Sequence, residues 1–505
     1  MKKLLRWLRP TGPWILAWAA VASGAEAGFD FETLRARARD LAAQVPRPSQ
    51  GEVPAWLREL SYDDLRRIEF DGRQSLWHGE GRAFQVQFLH PGFLFDRSVR
   101  VFQLDGGRVT AVPFRREYFH YRGTKSGELP ATMGFAGFRL MYPLDGSGAA
   151  PAEVGSFAGA SYFRFMGAGA AYGLSARGLA LDTAAAGPEE FPRFTEFWLE
   201  RPEAGARSMA VLALLESERV TGAYRFTIAP GETTIVDVRA ALYFRRPAGV
   251  VGLAPLTSMF WRGENSPATV DDYRPEVHDS DGLLLHRGNG EWIWRPLVNP
   301  RQVRVATFAD ENPRGFGLLQ RDRDFEHYQD LEAAYHRRPG LWVEPRGGWG
   351  RGGVRLVEIP TTTEFDDNMV AFWVPEAGPR TGEAMEFGYR LHWSGEGIAP
   401  PAGYVRSTRR GKSGVHEPGL ERFVVDFAGA ALAARGAEAR IEPVVTVGAG
   451  ARLHHVTAQW NPINRTWRVA FLIKPAGTAT PVELRCFLRE GAAARSETWS
   501  YLWQP

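Results

Sequence analysis

A hydrophobic period of two, recurring over most of the chain, is the feature that most restricts its fold. Phe84, Val86 and Phe88 alternate with polar neighbours, and Val99, Val101 and Phe102 do so less cleanly. Val109 to Phe114 and Tyr224 to Val238 repeat the pattern. Successive side chains of a strand point to opposite faces, so this spacing predicts strands with a buried face. Gly and Pro punctuate the runs at intervals typical of antiparallel sheet, which makes the body of the chain mainly β. Helical spacing occurs near the start. Phe31, Leu34, Ala38 and Leu41 predict a helix over 31–42, stopped by Pro46 and Pro48, and Tyr62 to Ile68 predicts a second, short one.

The first 27 residues are sequence of another kind. Lys2, Lys3, Arg6 and Arg9 precede an apolar run from about Pro13 to Ala22, and Ala25-Glu26-Ala27 supplies small residues before Gly28. The run is too short to span a bilayer, so 1–27 is predicted to be a secretory signal peptide. It holds no consecutive Arg pair, which favours general secretion over the twin-arginine route. No later stretch reaches 18 consecutive apolar residues, and the exported chain is expected to be soluble and periplasmic. With the segment removed, 57 basic residues face 57 acidic ones, which gives no reason to expect nucleic acid as a partner. The one cysteine, Cys486, cannot form an internal disulfide and lies in an alternating run that predicts a core position.

The 505 residues imply two to four domains. Composition shifts at GPRTGE and SGEGIAPPAG, so we divide the chain into a large β domain over 28–393, a linker over 394–402 and a second domain over 403–505. In the second, Val456 to Trp460 alternates into the turn Asn461-Pro462-Ile463-Asn464, and Trp467 to Ile473 alternates out. Further strands near 423–427, 441–447, 482–488 and 498–503 suit an immunoglobulin-like sandwich.

Candidate chemistry concentrates in two acidic stretches. Residues 274–294, RPEVHDSDGLLLHRGNGEWIW, place Glu276, Asp279 and Asp281 around His278, with Trp292 and Trp294 close behind. Carboxylates packed so densely are costly unless solvent, a ligand or an arginine answers them. The stretch is either an acidic, aromatic-walled site or an ion-pair knot in which Arg274, Arg287 and Arg295 neutralise the acids. Residues 315–373 add Asp322, Asp324, Asp330, Glu344, Glu358, Asp366 and Asp367. Cleaving a glycosidic bond needs one carboxylic acid for the leaving oxygen and one carboxylate to activate water or attack the sugar. Spacing alone does not choose the pair. Trp292, Trp294, Trp342 and Trp349 are candidate sugar platforms, and Asp281 and Glu344 candidate polar contacts. The Gly- and Ala-rich segment 155–192 matches neither a dinucleotide fingerprint nor a nucleophile elbow, although Tyr162, Arg164, Tyr172 and Arg177 could line a cleft. No HExxH or calcium-hand spacing occurs, so no metal or cofactor is expected.

The strings RPEVHDSDGL, NGEWIWRPL, RGFGLLQRDRDFEHYQD, RPGLWVEP, GFAGFR, GASYFR, YGLSARGLA and TGAYRF resemble the periplasmic glucan biosynthesis protein family of Gram-negative bacteria. The resemblance spans nearly the whole mature chain, and the signal peptide points to the G rather than the D members. It implies a galactose-mutarotase-like β-sandwich followed by an immunoglobulin-like one, and a part in making osmoregulated periplasmic glucans with a β-1,2-linked backbone. Family members are similar to, or are, anomer-inverting endo-β-1,2-glucanases. By that resemblance the general acid falls on Asp367, in Asp367-Asn368-Met369-Val370, and the base on Asp279. Tyr335 and Arg338 would bind sugar, with Asn368 beside the acid. Asp366 next to Asp367 departs from the family pattern and would raise the acid's pKa. The competing expectations are a non-catalytic scaffold serving a membrane glucosyltransferase, and a transglycosylase.

Overall fold

The computed structural model describes residues 28–46, 53–124, 127–130, 132–144, 150–266, 271–395, 398–413, 419–477 and 480–504. The predicted signal peptide lies outside them. The period-two runs become strands of two large sheets packed face to face. One follows the strand order 442–447, 482–490, 498–503, 292–296, 282–286, 315–319, 340–346, 384–394, 233–244, 220–229, 209–216, 193–200, 100–105, 108–112. The other follows 85–89, 137–142, 152–158, 162–165, 175–177, 251–258, 369–375, 351–358, 304–311. Between them lies the main core, in which Phe157, Phe163, Phe226, Leu283, Phe316, Trp373 and Trp393 are buried. The chain is thus mainly β and sandwich-like, as its alternation predicts.

The outer face of the first sheet is also covered, by two different elements. At one end sits helix Phe31–Ala42, capped by the Asp30 carboxylate, which accepts from the Thr33 N–H at 2.8 Å. Its Phe31, Leu34 and Ala38 pack on Leu212, Leu214, Ala223 and Ala241. At the other end the carboxyl-terminal residues supply the cover. Strands 404–412, 421–428, 466–475 and 451–461 form a four-stranded sheet. It packs over a core of Phe423, Phe471, Cys486, Trp499 and Tyr501 that also takes in Leu284, Trp294, Leu319 and Trp342 of the large sheet. The turn at Asn461 is closed by its own side chain, which accepts from the Ile463 N–H at 3.0 Å. The second layer of this carboxyl-terminal sandwich is not separate from the first domain. Ile293 and Trp294 pair in parallel with Thr498 and Trp499, which joins strands 442–447, 482–490 and 498–503 to the large sheet.

Glycines make room for the indoles at this junction. A Cβ on Gly282 would stand 2.1 Å from Trp294, and one on Gly315 would stand 2.1 Å from Trp342. Arg321 clamps the same region. Its guanidinium stacks on Trp294 at 3.7 Å, pairs with the buried Glu497 at 2.6 Å and donates to the Val405 carbonyl at 3.0 Å.

Removing one partner of a buried pair leaves the other charge uncompensated, so Arg321→Ala should cost about 3–5 kcal/mol in chemical denaturation. Arg351→Ala, which breaks an exposed pair with Glu376, should cost at most about 1 kcal/mol.

Candidate functional site

The outer face of the second sheet carries polar and aromatic side chains where the other faces carry apolar ones. Alternation over 162–165 sends Phe163 and Phe165 into the core and leaves Tyr162 and Arg164 outside. Arg164 stacks on Tyr172 at 4.2 Å, and the Tyr172 hydroxyl donates to Glu153 at 2.6 Å. Arg177, from the next strand, stacks on Tyr162 at 5.3 Å and pairs with Glu189 at 2.9 Å.

Asp279 and Asp367 meet beside this face because both are fastened to one backbone segment. The short strand Val277–His278 pairs with Phe260–Arg262, and the Asp279 N–H donates to the Met259 carbonyl at 2.8 Å. Asn368, immediately after Asp367, grips the adjoining residue. Its Oδ1 accepts from the Phe260 N–H at 2.8 Å, and its Nδ2 donates to the Phe260 and Ile359 carbonyls at 3.0 and 2.9 Å. The two acids are therefore anchored to neighbouring residues, Met259 and Phe260.

Their surroundings differ. Asp367 is open to solvent but sits among enough protein to be poorly hydrated. That desolvation, with the Asp279 charge and to a smaller extent Asp366, pushes its pKa up to about 6 against the opposing pull of Arg164 and Arg338. Asp279 is buried and ion-paired to Arg338. Burial raises its pKa, and Arg338, His278 and Arg164 oppose the rise. The guanidinium contacts Asp279 directly and acts on Asp367 as a nearby charge. Arg338 is itself held by Tyr335, whose ring lies 4.1 Å beneath it, and Tyr335 donates its hydroxyl to Glu364. Glu364 is fixed by Arg274, which also bonds Asp272 and Asp330 at 2.9 Å each.

Several expected contacts fall elsewhere. Trp294 and Trp342 are buried between the large sheet and the carboxyl-terminal sheet, and Trp292 stacks on His286 at 3.9 Å and faces Trp342. None of the three lines the face that carries Arg164. Glu344 shares the Trp342 side of its strand and pairs with His392 at 3.0 Å. Asp281 turns inward and accepts from the Arg321 and Asp322 N–H groups at 3.0 and 2.9 Å, with its pKa pushed up to about 6 chiefly by burial. Asn368 and Tyr335 are buried and fully engaged, so they hold Asp367 and Arg338 in place and do not face a ligand. Trp349 packs on the main core. The ion-pair knot exists too, with different partners: Arg274 answers Asp272, Asp330 and Glu364, while Arg287 and Arg295 answer Glu291 and Glu483. His278 is buried between Gln320 and Glu276, at 2.9 Å from each.

The exposed apolar side chains near the acids are ones the alternation did not single out. Tyr273, Leu331 and Phe365 are 77%, 85% and 89% exposed, and each is next in sequence to a member of the Arg274 cluster. Among the described residues no helix is long and apolar enough to cross a membrane.

The family model described as periplasmic glucan biosynthesis protein, MdoG, matches residues 29–503. The glucans biosynthesis protein G of Sodalis glossinidius is 44% identical, over 99% of this chain and 97% of that protein. That of Ralstonia nicotianae is 45% identical, over 96% and 98%. A probable glucans biosynthesis protein D from Shewanella oneidensis is 42% identical, over 97% and 92%.

Asn368→Ala should strand three buried backbone groups and cost at least about 1–3 kcal/mol, read as a lowered denaturant midpoint. Asn368→Asp, which keeps the acceptor, should recover only part of that loss.

Proposed function

The chain belongs to the periplasmic glucan biosynthesis family, and we propose that it is exported by its first 27 residues and cleaves β-1,2-linked glucan as an anomer-inverting endo-glucanase. The observation that carries this reading is the pair itself: one carboxyl with its pKa near 6 and one carboxylate held by arginine, within each other's electrostatic influence beside a polar, aromatic face. Asp367 donates its proton to the glycosidic oxygen as the bond to the anomeric carbon breaks. Asp279 accepts a proton from the water that attacks the opposite face of that carbon, which inverts the configuration. Because Arg338 covers Asp279, the proton reaches it through an intervening water or sugar hydroxyl. Arg164 and Arg338 offset the negative charge of the pair. Phe365 and Tyr273 are the exposed aromatic surfaces near the pair for glucosyl rings to stack on.

One observation favours a second reading. Asp279 is 5% exposed and already paired, as a structural carboxylate would be. On that reading the protein holds nascent glucan for a membrane glucosyltransferase and cuts nothing.

Chain-length analysis of linear β-1,2-glucan incubated with the protein separates the two. Hydrolysis should produce shorter chains, and Asp367→Asn should slow it by about 10²–10⁴-fold while glucan binding persists. Unchanged polymer with binding intact would leave the scaffold. The rate requires protonated Asp367, so kcat/KM should fall as pH rises through about 6. Removing the neighbouring charge with Asp366→Asn lowers that pKa and should move the alkaline limb to lower pH.

A further inference from the structure

Between the large sheet and the carboxyl-terminal sheet lies a partly enclosed space of about 30 Å³, the room of a single water or ion. Glu264, Asn265, Glu276, Asp281 and Asp322 line it from the large domain, and Arg406, Ser407 and Thr408 from the carboxyl-terminal sheet. Four carboxylates around so small a space are costly to bury. Part of the charge is answered: Glu264 pairs with Arg409 at 3.0 Å and burial pushes its pKa up to about 8, Glu276 meets His278, and Arg406 lines the same space. Two oxygens are not. Asn265 is 5% exposed, and its Nδ2 donates to the Leu297 carbonyl at 2.9 Å, yet its Oδ1 has no partner. Oδ1 of Asp281 is likewise buried and unpartnered. At the same wall, ligand atoms of Glu276, Asp322 and His327 lie within 4.8 Å of one another, with His327 Nδ1 2.5 Å from Asp322.

We propose that Glu276, Asp322 and His327, at the wall of this space, bind one divalent transition-metal ion of the Mn²⁺ or Zn²⁺ type, whose bound water reaches the unpartnered oxygens of Asp281 and Asn265 in the lining. A water molecule alone could satisfy the two orphan oxygens but could not offset the carboxylate charge, whereas a cation with its bound water does both. Carboxylate oxygens with one imidazole nitrogen form a donor set suited to these ions. The ion would tie the segment that carries Glu276 to the one that carries Asp322 and His327. The assignment is independent of the hydrolase reading.

Calorimetric titration of the chelator-treated protein with MnCl₂ and, separately, ZnCl₂ tests it, with thermal melting alongside. One equivalent per chain should bind and raise the melting temperature. His327→Ala, at a partly exposed position, should weaken binding by at least about tenfold. Asn265→Asp, which adds a negative charge beside the site at the cost of the Nδ2 donor to the Leu297 carbonyl, should tighten binding while lowering the melting temperature of the metal-free protein. Absence of saturable binding of either ion, binding unchanged in His327→Ala, or binding unaltered or weakened in Asn265→Asp would each overturn the assignment.

Discussion

The site depends on a single side-chain amide. Asn368 satisfies both backbone groups of Phe260 and the carbonyl of Ile359, and this sets where Asp367 begins its strand relative to the segment that carries Asp279. The acids are 88 positions apart in the chain, yet each is one short link from residues 259–260. Buried backbone groups that lose their partners cost more than ordinary hydrogen bonds gain, so the amide holds the two acids to one geometry.

Around that anchor, charge is distributed in tiers. Arg274 gathers Asp272, Asp330 and Glu364; Glu364 holds Tyr335; Tyr335 underlies Arg338; and Arg338 meets Asp279. Asp367 stands outside this chain of contacts, and desolvation with the nearby Asp279 charge pushes its pKa up to about 6. The two carboxyls thus meet different surroundings, a cation in direct contact for Asp279 and mainly lost hydration for Asp367.

The strands were legible because a sheet with one apolar face writes its period into the chain, and Tyr162 and Arg164 lie on the outer face of their strand for the same reason. The tryptophans were not. Trp294 and Trp342 occupy the face that alternation marks as outward, but a second sheet that begins only at residue 404 covers it, and no local pattern encodes that cover. Gly282, which reads as a turn or a ligand approach, is small because an indole lies across it. Asn368 next to an acid reads as a ligand contact, and only the fold reveals that residues 108 positions earlier have taken its amide. The acids themselves were identifiable through family resemblance and not from spacing, since many carboxylates crowd both stretches.

The parallel pairing of Trp294 with Trp499 has a further consequence. A chain shortened before its last strands would present residues 292–296 as a bare sheet margin, with unpaired N–H and C=O groups beside uncovered indoles. Such margins recruit strands from other molecules, so the carboxyl-terminal unit also guards against aggregation and is not a detachable accessory.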